Sequence, residues 1–110
     1  MKRPEKAETL EGALESWERA IDCLWKAGGV FAADDYPVSL YREHVDAAWW
    51  RATDSERAAV QERLEDTDAL YRRLTVPSRS CNAGDEWARQ KGWTPEANWW
   101  LFRDPIGGWE

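Results

Sequence analysis

The sequence predicts an all-α fold, a small three-helix bundle with a Trp-rich C-terminal segment, in short helices or irregular, packed on one side. Three observations predict it. Apolar residues recur at alternating steps of three and four in three stretches, the spacing that gathers them on one face of a helix. Residues that start or stop helices bound those stretches. A length of 110 residues suits one core, so residues 1–110 are expected to form a single domain that needs neither metal nor disulfide staples.

The first helix is expected over residues 9–27. Leu10, Leu14, Trp17, Ile21 and Leu24 form its bulky stripe, and Gly28 and Gly29 end it. Beside that stripe runs a second one of small residues, Ala13, Ser16, Ala20, Cys23 and Ala27. Such a narrow face lets another backbone approach, although alanines also serve simply as good helix formers on a half-exposed side.

A second helix is expected from about residue 37 to 52, with Asp34 or Asp35 as its cap and Pro37 in its first turn, where a missing N–H costs least. Tyr41, Val45, Ala48 and Ala52 share its apolar side, bordered by Trp49. Trp50 falls almost opposite, between Glu43 and Asp46. Core packing does not ask for a bulky ring among acids, which makes Trp50 a candidate contact for a partner.

The run "TDSE" at residues 53–56 fits a capping box, Thr53 accepting from the third helical residue while Glu56 reaches back. The third helix then runs to about residue 74 on Val60, Leu64, Thr67, Tyr71 and Leu74, with Arg72 and Arg73 at its negative end and Pro77 stopping the pattern. Its outer face is expected to mix Glu62, Glu65, Asp66 and Asp68 with Arg57, Arg63 and Arg72, a solvated surface.

After Pro77 the period is lost. "SRSCNAGDE" reads as an irregular loop, "DEWARQKG" as two helical turns ending at Gly92, and "TPE" as the start of a short helix over residues 95–102, with a buried strand "NWWLF" as the competing reading. On that short helix Ala97, Trp100 and Leu101 share one face while Trp99 and Phe102 point away. The segment is therefore either sandwiched within the domain or half of an interface.

Composition excludes several function classes. The N-terminal run "MKRPEKAETLEG" has no apolar core after its basic residues and does not read as a signal peptide. No apolar run approaches the roughly 20 residues that cross a bilayer. Cys23 and Cys81 lack metal-site spacing and are expected as free thiols in a cytoplasmic protein. A net charge of −6, spread evenly along the chain, disfavours direct nucleic-acid binding, which needs clustered Lys and Arg, and suits a basic protein partner. The phosphate-binding glycine motifs and an acid-rich calcium loop are absent from the sequence. The single histidine, His44, is expected to be structural or solvated, and only a fold that brought it to Cys81 would make a thiol–base pair. No catalytic residue, cofactor or metal is therefore expected, and the oligomeric state stays open.

Nine tryptophans, five of them in the last 24 residues, are the compositional outlier. Most must build the core, Trp17, Trp25 and Trp49 lying on or beside predicted core faces. Exposed ones suit a protein interface, where tryptophan dominates binding energy. The expectation is a small acidic non-catalytic protein-binding protein that blocks a surface of a larger, basic or nucleic-acid-processing partner. Its contacts are expected at Glu43, Asp46, Trp50, Trp99, Phe102 and Trp109. A phage or mobile-element inhibitor of anti-CRISPR or anti-restriction type is the concrete form, an inference from class and not from a family motif. The alternative is an aromatic pocket for a cationic or apolar small ligand.

Overall fold

The structure, a computed structural model, describes residues 9–32 and 36–110. The expected cap at Asp34 or Asp35 and most of the N-terminal run lie outside the described residues. The chain is mostly helical: α1 (Leu10–Lys26), α2 (Val38–Arg51), α3 (Asp54–Arg73) and α4 (Asp85–Lys91) are joined by a small sheet, β1 (Thr75–Pro77) and β2 (Arg103–Pro105). The sheet and the fourth helix make the architecture more than three helices and a tail.

The predicted stripe of α1 is buried at every position, Leu10, Leu14, Trp17, Ile21 and Leu24, because this helix packs against both α2 and α3. Thr9 starts it by accepting from the Gly12 N–H at 3.1 Å. Trp25 departs from its expected place beside the core. It follows the last stripe residue as α1 ends, and its ring is 59% exposed.

The capping box of α3 forms as expected, Thr53 accepting from the Glu56 N–H at 3.1 Å while Glu56 accepts from the Thr53 N–H at 2.9 Å. Val60, Leu64, Tyr71 and Leu74 are buried. Asp68, expected on the solvated face, is buried instead. It accepts from Arg42 Nε at 2.9 Å, Arg42 Nη2 at 3.1 Å and Trp17 Nε1 at 3.0 Å, so the buried charge is paired and hydrogen-bonded as burial demands. This triad ties α1, α2 and α3 at one point. The partly exposed link of Arg63 to Glu11 and Glu18, both at 2.7 Å, joins α3 to α1 and contributes at most about 1 kcal/mol per pair.

Residues 94–102 form neither the expected helix nor a strand. A turn leads into a single 3₁₀ turn over Trp99–Leu101. Immediately after it β2 pairs antiparallel with β1, Thr75 opposite Pro105 and Pro77 opposite Arg103. Asn82 fixes this region. Its amide donates to the Trp100 and Arg103 carbonyls at 3.2 and 3.0 Å, and its oxygen accepts from Ser39 of α2. The Tyr71 hydroxyl donates to the same Trp100 carbonyl at 2.6 Å, and burial pushes that phenol well above its usual pKa.

Candidate functional site

The six residues expected to face a partner do not share one surface. Glu43 is half-buried, its Oε1 accepting from Asn98 Nδ2 at 3.1 Å and Trp100 Nε1 at 3.2 Å. Asp46 is likewise half-buried and accepts from the Trp50 indole one turn along the helix. Burial pushes both carboxyls above their ordinary pKa, ahead of the hydrogen bonds and the Arg42 charge that lower them.

Trp50 itself remains 73% exposed. Trp99 is half-buried, with the Arg72 guanidinium 3.9 Å from its ring centre and the Tyr71 ring tilted beside it at 6.0 Å. Phe102 is a correction. Only 8% of it is exposed, since the 3₁₀ turn rotates it into the core where a regular helix would have turned it out. Trp109 is 52% exposed and meets Phe31 edge-to-face at 5.1 Å.

Three exposed large apolar side chains, Trp25, Ile106 and Trp109, belong to the segments that meet where α1 ends, while Trp50, Val76 and Trp87 lie elsewhere. Past Trp25 the backbone turns through Gly28 and Gly29, both at positive φ, with the Gly29 N–H bonded to the Leu24 carbonyl at 2.9 Å. The C-terminal residues cross directly over this turn. Gly107 donates to the Gly29 carbonyl at 2.9 Å, and Phe31 and Trp109 are bridged through Phe31 N–H to Gly108 O and Glu110 N–H to Phe31 O. A Cβ on Gly107 would stand 2.6 Å from the Gly28 oxygen and 2.8 Å from the Gly29 carbonyl carbon, so only glycine lets the two backbones touch. Around this crossing Trp25, Ile106 and Trp109 are all more than half exposed.

A cleft of about 430 Å³ opens beside it. The small stripe of α1 contributes Ala20, Cys23 and Ala27 to its wall, and Phe31, Tyr41 and Trp109 contribute rings. The narrow face read from the sequence thus borders open space at its C-terminal half, while Ala13 at its N-terminal half is buried.

A second, smaller pocket of about 190 Å³ lies between α2 and α4. Gly92, at φ +72°, ends α4 and folds the chain back so that the Trp93 N–H reaches the Ala88 carbonyl at 3.0 Å. Trp87 and Trp93 thereby meet edge-to-face, their planes 74° apart and their centres separated by 6.1 Å. Across the pocket are Tyr36 and His44, nearly parallel and joined through the Tyr36 hydroxyl and His44 Nε2 at 2.8 Å. Glu43 and Lys91 complete the lining. Nothing in the sequence pairs Trp87 with Trp93 or either with Tyr36, because the contacts depend on where α4 docks.

Both cysteines are free, Cys23 exposed and Cys81 buried. Burial pushes the Cys81 thiol up, the opposite of the depressed pKa that makes a nucleophile. Among the described residues no three His, Cys, Asp or Glu side chains gather as a metal site, and no helix is long and apolar enough to cross a membrane. Comparison with family models, with characterised proteins and with solved structures finds no match.

Proposed function

We propose that this chain is a small non-catalytic protein that binds a larger protein and blocks one of its surfaces, using the face at the end of α1. The observation that carries this reading is the set of Trp25, Ile106 and Trp109, each more than half exposed around one backbone crossing and beside an apolar cleft. Clustered apolar side chains left in water mark interaction surfaces, and tryptophan is the residue that most often dominates binding energy at them. The scaffold presenting this face is a three-helix bundle of α1, α2 and α3 with the C-terminal segment laid against it.

The net charge of −6 suits a basic partner, including a protein that handles nucleic acid, because opposite charge speeds encounter and fixes orientation. The concrete form of this reading is an inhibitor of host defence carried by a phage or mobile element, of anti-CRISPR or anti-restriction type, acting inside the cell. Trp50, on another part of the surface, is a second contact.

Affinity capture with the wild type and with Trp25→Ala/Trp109→Ala, followed by cross-link mapping of the retained protein, tests the reading. The expected result is a partner held by the wild type, cross-linked at the end of α1 and lost by at least about tenfold in the double variant, a cost of about 1.4 kcal/mol. A partner held equally by both proteins, with the fold of the variant intact, overturns the assignment of the face.

A further inference from the structure

We propose that the pocket between α2 and α4 binds a methylated or quaternary ammonium group, with Glu43 as its counter-charge. This site goes beyond the protein-binding face at the end of α1. It shares only Tyr36 with the lining of the larger cleft.

Size restricts the guest first. About 190 Å³ is below the roughly 300–1,000 Å³ of pockets that enclose drug-sized molecules. A head group on a longer chain fits, and a whole cofactor does not. Wall chemistry restricts it further. Trp87 and Trp93 meet at a corner with their planes 74° apart, and Tyr36 and His44 supply two more rings. Faces of aromatic rings carry negative potential and attract cations, tryptophan most strongly.

Glu43 decides between a cation and an uncharged apolar guest. Its carboxylate borders the pocket while Oε1 is held by the neutral N–H groups of Asn98 and Trp100. The nearest guanidinium, Arg42, is bound in two hydrogen bonds to Asp68. An apolar guest would cover the Glu43 charge without pairing it, at a desolvation cost. A cation uses it. An unmodified ammonium carries three N–H donors that each need an acceptor, and rings are poor substitutes. A methylated ammonium, whose charge is spread over C–H groups, loses little on entering such a cage. Lys91 lines the same pocket on a flexible four-carbon stem. Its like charge would oppose a cationic guest.

The test uses the full chain labelled with nitrogen-15, whose indole N–H signals report each tryptophan separately. Choline is titrated against its uncharged carbon isostere, in which a tert-butyl group replaces the trimethylammonium. The expected result is a saturable shift of the Trp87 and Trp93 indole signals with choline, none at Trp50, and at least about tenfold weaker binding of the isostere. Glu43→Gln, which keeps an acceptor for Asn98 and Trp100, is expected to weaken choline binding by at least about fivefold, and Lys91→Gln to strengthen it. The proposal is overturned if choline produces no saturable shift, if the isostere binds as well as choline, or if Glu43→Gln binds as the wild type does.

Discussion

Trp49–Trp50 and Trp99–Trp100 are the same dipeptide in two settings, and the fold treats them differently. In α2, Trp49 is half-buried beside the Arg57 guanidinium at 5.9 Å, while Trp50 stands out in solvent with its indole hydrogen-bonded to Asp46. In the 3₁₀ turn both rings are taken up. Trp100 is 3% exposed, bonded to Glu43 and faced by Arg42 at 4.5 Å, and Trp99 lies under Arg72 at 3.9 Å. Adjacent side chains on a helix diverge by about 100°, so a helix packed on one side leaves one ring of a pair outside. The 3₁₀ turn is met on two sides, α2 supplying Arg42 and the end of α3 supplying Arg72. The fate of a second tryptophan is therefore set by whether another element packs against its face, here with a guanidinium from each side.

Trp100→Ala breaks the absorbed pair and carries the largest expected effect. Removing a buried indole costs about 3–5 kcal/mol, measured as a lower urea midpoint. A loss under about 1 kcal/mol would mean that the turn repacks and the ring is not a keystone.

Glu43→Gln sharpens the comparison by changing only the partner of Trp100. Burial raises the Glu43 pKa, so the fold holds this proton more tightly than the unfolded chain does. The stability it contributes is full below the unfolded pKa and is lost as pH rises through the folded pKa. The neutral amide is therefore expected to raise the thermal midpoint at about pH 7 and to leave it unchanged at about pH 3.5, where the wild-type carboxyl is itself protonated. A midpoint that falls at about pH 7 and stays unchanged at about pH 3.5 would show that the charged acceptor stabilises Trp100.

Trp50→Ala is the smallest change, expected within about 0.5 kcal/mol of wild type because an exposed ring supports little of the fold. A loss above about 1 kcal/mol in the same urea experiment would place Trp50 among the structural tryptophans.

The sequence carried most of the helical frame and little of the surface. The α1 stripe, the α3 capping box and the Gly92 stop of α4 are local signals, written within one or two turns of chain, and each appears where its spacing put it. Asp68 was misplaced, although it stands four residues after Leu64 and three before Tyr71, on the buried stripe. An acid at such a position points to a cation on another helix, which is what Arg42 provides. β1 and β2 are three residues each and contain a proline apiece, too short to show a period. Their pairing depends on chain segments far apart in sequence. Of the expected contact residues, Trp50 and Trp109 are exposed, whereas Phe102 is core and Glu43 holds two N–H donors. Trp25 and Ile106 were missed as surface residues because their neighbours become visible only once the C-terminal residues cross α1.

That crossing also has a place in time. Bringing Gly107 onto Gly29 closes a loop that includes most of the chain, and contacts of such wide sequence separation pay their closure entropy before they gain anything. The crossing is held by backbone hydrogen bonds of Gly29 and Phe31 and by the edge-to-face contact of Phe31 with Trp109, all of them between segments far apart in sequence. A molecule that has formed α1 but not yet laid Gly107 over it carries both indoles without the surface between them. A partner that reads both sides of the crossing would distinguish the finished protein from its folding intermediates.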